Sequence, residues 1–248
     1  MTNRSFLLLP LMTALLASGC ASLPNDKPDP RDRFERFNRS IFSFNQGLDK
    51  HVARPAAKAY VAVTPAPVRS GVSNFLANLG YPVVIVNDLL QAKPTPFARD
   101  TARFVVNTTV GIGGLFDPAT KVGLQYNNED FGQTLGYWGM GPGPYLMLPL
   151  IGPSDTRDLV GKVADHFAQP RTYLASTTLS LGLQGAELLD KRAAALEATD
   201  IINRAFDPYA FVRNAYLQRR QFLVHDGNPP DEEPASEESE DSPSTDEQ

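Results

Sequence analysis

The residues with the chemistry for catalysis are few and scattered. His51, His166 and His225 each fall near the C-terminal end of an expected helix, where an imidazole meets free carbonyls and the negative end of the dipole. Asp155 with Asp158, and Glu129 with Asp130, could act as paired carboxylates, but both pairs stand at helix starts, where acids are stabilising without any reaction. Gly111-Ile112-Gly113-Gly114 is too short for a phosphate fingerprint, and no alternating strand–helix pattern surrounds it. No G-x-S-x-G elbow, P-loop or H-E-x-x-H pair occurs. With one cysteine and three histidines, a multi-thiolate or polyhistidine metal site is not expected, nor is any cofactor. The residues point away from an enzyme.

The one residue placed for covalent chemistry is Cys20. Met1–Arg4 carries a positive charge, and Phe6–Ala17 is an apolar run too short to span about 30 Å of hydrocarbon as a helix. The run ends in Ala17-Ser18-Gly19-Cys20, which resembles a bacterial lipobox, where small residues admit the peptidase and the thiol receives diacylglycerol. Acyl chains contribute about 0.8 kcal/mol per buried methylene, so two or three of them anchor a protein durably. The expected mature chain starts at Cys20. Ala21 follows it, and the absence of aspartate there is similar to the outer-membrane sorting choice of enteric bacteria.

Charge divides the chain. Ten of its 28 acidic residues lie in 226–248 without one Lys or Arg, so residues 1–225 hold 23 basic against 18 acidic groups, a net +5. A mildly basic body suits an anionic surface, whereas +5 over that length is far from the stripe that tracks nucleic-acid phosphates. The tail, rich in Glu, Ser and Pro, reads as disordered. The domains expected are therefore a signal peptide at 1–19, a lipidated N-terminus and linker at 20–30, a helical domain at 31–225 and the acidic tail at 226–248.

Short helices should build the domain, because 21 prolines punctuate 248 residues. From Asp32 to Val52, Phe34, Phe37, Ile41, Phe44, Leu48 and Val52 recur at steps of three and four, the strongest helical signature present. Asn38 and Asn45 stand seven apart on the flank of that stripe, where an amide needs another helix, water or a lipid headgroup. Prolines 55, 65, 96 and 208 suggest helices over 55–63, 65–79, 96–110 and 208–224, with Arg213, Arg219 and Arg220 off the buried face of the last. Pro82–Leu90 is apolar on nearly every side; it fits a buried strand, but its neighbours favour a buried or lipid-facing helix over 82–92. Helices are also expected over 129–138, over 155–167 with Ser154 as cap, and over 172–204 with a kink or break at Gly182 and Gly185. Between them, Gly139-Met140-Gly141-Pro142-Gly143-Pro144, Tyr145–Ile151 and Gly152-Pro153-Ser154 read as a loop or hairpin with an apolar tip.

In order along the chain, several stretches resemble the VacJ/MlaA family of Gram-negative outer-membrane phospholipid-binding lipoproteins. They are Phe34-Glu35-Arg36-Phe37-Asn38-Arg39 with Phe42-Ser43-Phe44-Asn45, Val72-Ser73-Asn74-Phe75, Arg103-Phe104 with Asn107-Thr108, and Gly113-Gly114-Leu115-Phe116-Asp117. The likeness continues through Asp130-Phe131-Gly132-Gln133-Thr134-Leu135-Gly136, the glycine–proline segment and Asp207-Pro208-Tyr209, covering about 30–225.

The resemblance implies an all-α fold: a ring of short helices with a glycine- and proline-rich hairpin and a central polar channel. It implies removal of mislocalised phospholipids from the outer leaflet, association with a trimeric porin, hand-over to a soluble periplasmic carrier, and no hydrolysis. Gly139, Gly141, Pro142, Gly143, Pro144 and Tyr145 then become channel or hairpin residues, with gating expected at Gly141, Gly143 and Tyr145 unless the hairpin is a purely structural turn. Asn38 and Asn45 become polar elements that fix the first helix. Phe34, Phe37, Ile41, Phe44, Val83, Val84 and Ile85 become membrane-facing candidates. A structural lipoprotein bracing porins or the envelope is the competing reading, and a membrane-bound lipid hydrolase a more distant one.

Overall fold

A computed structural model describes residues 29–173 and 176–230. The signal segment, Cys20, most of the linker and the tail from 231 lie outside the described residues. The helices are α1 Glu35–Leu48, α2 Arg54–Val63, α3 Ala66–Leu90, α4 Pro94–Thr109, α5 Pro118–Lys121 and α6 Phe131–Tyr137. A hairpin of β1 Tyr145–Leu148 and β2 Gly152–Asp155 follows, then α7 Thr156–Ala168, α8 Thr177–Ala194, α9 Leu196–Arg204 and α10 Pro208–Val224. The strands are antiparallel, with Tyr145 opposite Asp155 and Leu148 opposite Gly152. The class is helical, as expected, with this one small sheet.

Side-chain caps set several helix starts. Asp117, Asp130, Asp155, Ser176 and Asp207 each accept the backbone N–H three residues ahead. Ser154 is not the cap of α7: it sits in β2, and Asp155 takes that role. The first helix does not stop ahead of Pro55. It passes through a π-helical turn, Asp49–Ala53, in which Arg54 N–H bonds Asp49 O five residues back, and the wider turn carries the chain into α2 past a proline that can donate nothing.

Two expected helices merge, since Pro82 lies inside α3. The carbonyl four residues before it loses a donor, but packing on both sides holds the helix together. Val83 and Val84 are consequently buried in protein, not membrane-facing, and Ile85 is half-buried; the exposed apolar residues of this helix are Val68, Val86, Leu89 and Leu90. The stretch from 172 divides at Ala195, not at Gly182 or Gly185, which α8 carries without interruption. Neither glycine has a neighbour within 4 Å of where a Cβ would sit, so nothing tertiary bends the helix there.

Packing contacts run in a closed circuit: α1 to β1, β1 to β2, β2 to α7, α7 to α3, α3 to α8, α8 to α2, and back through the π turn to α1. The buried residues are largely polar. Among the described residues 17 buried ones are polar or charged and nine are hydrophobic, against the usual rule that charged side chains stay at the surface. Large apolar side chains are outside instead, including Phe34, Phe37, Phe44, Phe116, Leu150, Ile151 and Phe167. Among the described residues, no helix is long and apolar enough to cross a membrane.

One buried carboxyl makes the polar interior testable. Neither oxygen of Asp88 has a hydrogen-bond partner, and burial, followed by the adjacent Asp100 carboxylate, pushes it up to about 7. Asp100 stays below the ordinary range although burial opposes this, because Arg99, Asn127 and Tyr81 all donate to it. Asp88 therefore holds its proton in the fold and loses it earlier in the unfolded chain. Below about pH 4 both states are protonated and the site costs nothing; the cost grows as pH rises towards 7 and is constant above it. Asp88→Asn, which cannot ionise, should melt progressively higher than the parent between pH 4 and 7 in thermal scans monitored by circular dichroism. A difference that does not change with pH would contradict this assignment.

Candidate functional site

A cavity of about 410 Å³ lies between the glycine-rich segment Gly139–Gly143 and helix α10, with Asp155, Arg157 and Arg220 in its wall. Three pieces of local chemistry build it.

The first is the attachment of the hairpin. Asn38 is fully buried; its Nδ2 donates to Tyr145 O at 3.0 Å and to Asp32 Oδ1 at 2.8 Å, while its Oδ1 accepts Met147 N–H at 2.8 Å. Asn45 repeats the pattern, with Nδ2 on Leu148 O and Oδ1 accepting Leu150 N–H, both at 2.9 Å. Seven helical residues and three strand residues each advance about 10 Å, so two asparagines at this spacing match the free edge of β1. The tip beyond, Leu150 and Ile151, is exposed and apolar. Leu150 has φ of 67°, a left-handed conformation that its N–H bond to Asn45 helps to hold.

The second is the inner face of α10. Tyr209, Arg213, Tyr216 and Arg220 recur at steps of four, three and four, and each meets an acid. Tyr209 OH donates to Asp32 Oδ2 at 2.6 Å and Arg213 Nη1 to the same oxygen at 2.9 Å. Tyr216 OH donates to Asp158 Oδ2. Arg220 grips Asp130 with both terminal nitrogens, at 2.6 and 2.9 Å, and reaches Asp158 Oδ1 at 2.6 Å. Burial alone would raise the Asp130 carboxyl, but the Arg220 bonds and charge, with the Gln133 N–H, hold it below the ordinary range. Arg39 fastens the start of the helix, pairing with Asp207 at 2.6 Å and stacking over the Tyr209 ring at 4.4 Å.

The third is close approach between α6 and α7. A Cβ on Gly161 would lie 2.4 Å from Gly132 N, and one on Gly132 would lie 2.6 Å from Asp158 Oδ1. Both positions must be glycine for the acids to converge on Arg220.

The expected site residues are thus divided by the structure. Gly139, Gly141, Pro142 and Gly143 line the cavity. Pro144 leads into β1, and Tyr145 is no part of the cavity wall: it is fully buried in a cluster with Met147 and Tyr209, its ring 5.9 Å from that of Tyr216. Asn38 and Asn45 fix the first helix to the hairpin, through backbone and not through lipid. Phe34, Phe37 and Phe44 are exposed, while Ile41 packs half-buried on the Tyr145 cluster. His51 and His225 cap carbonyls of their own helices, Gly47 O and Gln221 O, as expected.

Arg213 and Arg220 are corrections. Both are expected off the buried face, yet the Arg213 side chain is 11% exposed on Asp32 and Arg220 is 8% exposed at the centre of the ion network. The alternation of Tyr and Arg at steps of four, three and four is the available signal, masked by the usual preference of arginine for the surface. Removing one partner of a buried pair costs about 3–5 kcal/mol. Arg220→Ala should therefore lower the melting temperature by on the order of 10 °C, and Asp130→Asn in that background should recover part of the loss by removing an unpaired charge. Thermal melts of the two variants decide this; equal losses in the single and double variant would contradict it.

Residues 30–223 match the MlaA lipoprotein family model. The intermembrane phospholipid transport system lipoprotein MlaA of Escherichia coli K12 is 38% identical over 223 residues, 88% of each chain, and the Haemophilus influenzae protein of that name is 34% identical over 89% of this chain and 91% of its own. An uncharacterised Rickettsia typhi protein is 38% identical over 78% of each chain. A solved structure from work on the structural basis for maintenance of bacterial outer membrane lipid asymmetry superposes with a TM-score of 0.71 at 38% identity, covering 78% of this chain and 98% of its own. Buried acids that meet Arg220, inside a largely helical body with many exposed apolar side chains, accompany a sequence match along nearly all of the described residues, and the chain belongs to the MlaA lipoprotein family.

Proposed function

We propose that this chain is an outer-membrane lipoprotein that takes phospholipids mislocalised in the outer leaflet through a polar duct and passes them to a soluble periplasmic carrier, preserving lipid asymmetry. The observation that carries the reading is a buried set rich in ionic and amide groups together with many exposed phenylalanine, leucine and valine side chains. Such a body is costly in water and favourable among acyl chains, provided that its backbone groups are satisfied within helices. A charged headgroup crosses hydrocarbon only if something replaces its water. The closed circuit of packed elements and the cavity beneath Gly139–Gly143, whose wall mixes charged and apolar groups, supply a candidate route, and the relatives named for intermembrane phospholipid transport support the substrate class.

The membrane attachment would come from Cys20, with Phe34, Phe37, Phe44, Leu89 and the hairpin tip in contact with lipid. A trimeric porin is the expected membrane partner. The protein supplies no driving force, so lipid would move down a gradient set by the carrier's affinity.

Gly141 has no atom within 4 Å of a prospective Cβ and lines the cavity, so Gly141→Trp should fill the space without unfolding the chain. The expected outcome in cells is outer-leaflet phospholipid accumulation, read by surface labelling, with porin copurification unchanged. Unchanged asymmetry with porin binding intact would favour the bracing role. Cys20→Ser should abolish diacylglycerol attachment, read as loss of the acyl mass in intact-protein mass spectrometry; an acyl mass equal to the parent's would contradict the anchor.

A further inference from the structure

The wall of the cavity contains two opposite charges joined only by a long ion pair, with no hydrogen bond between them. Asp155 and Arg157 are 0% and 6% exposed, and the nearest approach of their charged atoms, Asp155 Oδ2 to Arg157 Nη2, is 3.7 Å. Asp155 Oδ1 is engaged as the cap of α7, accepting Asp158 N–H at 2.7 Å, but Oδ2 accepts no hydrogen bond. Arg157 donates through Nη1 to Met140 O at a long 3.3 Å, and its Nε lies 3.5 Å from Asp158 Oδ1 without forming a hydrogen bond. Arg220, in the same wall, spends its hydrogen bonds on Asp130 and Asp158 and gives Asp155 its charge but no hydrogen bond. A buried donor or acceptor left open costs about 1–3 kcal/mol, and a stable protein rarely keeps one of each sign side by side without use.

We propose that Asp155 and Arg157 form a subsite for a zwitterionic phosphoethanolamine headgroup, the phosphate taken by Arg157 and the ammonium by Asp155 Oδ2. The proposal rests on the lipid-transport reading above and specifies its substrate. Guanidinium matches a phosphodiester through paired donors, and a carboxylate without a donor is complementary to a primary ammonium, which carries three. A phosphoglycerol headgroup offers Asp155 no cation and leaves its charge facing a net anion. The direction in which burial drives Asp155 is consistent with an unmet need for a cation, since its carboxyl lies above the ordinary range. Access is through the segment that covers the pair, Met140–Pro142, where Pro142 O accepts Arg157 N–H and where Gly141 faces open space.

The test uses the full lipidated chain in detergent micelles and short-chain phosphatidylethanolamine and phosphatidylglycerol as probes, with binding read by native mass spectrometry. The parent should prefer phosphatidylethanolamine by about tenfold, near 1.4 kcal/mol. Asp155→Asn, whose amide oxygen keeps the α7 cap, should equalise the two lipids, and Arg157→Gln should weaken both. Equal affinities in the parent, or a preference that survives Asp155→Asn, would overturn this subsite while leaving phospholipid transport standing. Failure of the parent to bind either lipid would overturn both readings. The parent's ratio decides the matter even where a variant does not fold.

Discussion

A guanidinium that cannot lose its charge is all but buried, and the surrounding fold is shaped by that fact. Arg220 must meet carboxylates, so Asp130 at the start of α6 and Asp158 in the first turn of α7 are brought to one point, and α10 is brought to both. The convergence needs backbones closer than any side chain would allow, hence glycine at 132 and 161. It also sets the cavity, because the segment Gly139–Gly143 joins α6 to the hairpin and has to pass over Arg220's neighbours.

The same logic recurs around the molecule. Asp32 collects Asn38, Tyr209 and Arg213, tying the first helix, the hairpin and the last helix together. Asp117 collects Arg103, Asn107 and Thr120 at the turn after α4. Each acid is a junction between separate elements. Polar junctions replace much of the usual hydrophobic core, which frees the phenylalanines and leucines for the outside. An interior held by ion pairs and amides, with many apolar side chains left outside, is what the proposed place among acyl chains would favour, because burial of hydrocarbon in the core brings little advantage there.

Much of the architecture was legible from residues. The apolar stripe from Phe34 to Val52, the proline-marked helix starts and the apolar turn around Leu150 all have short-range causes. The spacing of Asn38 and Asn45 marked them as amides in need of partners, although only the hairpin edge shows what those partners are. Less legible were features decided by contacts far apart in sequence. Val83 and Val84 are as hydrophobic as Val86, and only packing against other elements makes the first two interior. Arg220 looked like a surface residue because its acids are 62 and 90 positions away. Tyr145 lies beside the glycine-rich segment in sequence but points into the Tyr209 cluster, since strand alternation turns it from the cavity.

The exposed apolar side chains are expected to be solvated by lipid. Spin labels placed singly at Phe44, Leu89 and Leu150, which are 55, 63 and 67% exposed, report this directly when the anchored protein is reconstituted in phospholipid vesicles. Molecular oxygen concentrates in hydrocarbon and a water-soluble nickel chelate is excluded from it. Faster relaxation by oxygen than by nickel at all three sites is the predicted result. Relaxation dominated by nickel at all three would place those faces in water and contradict the account.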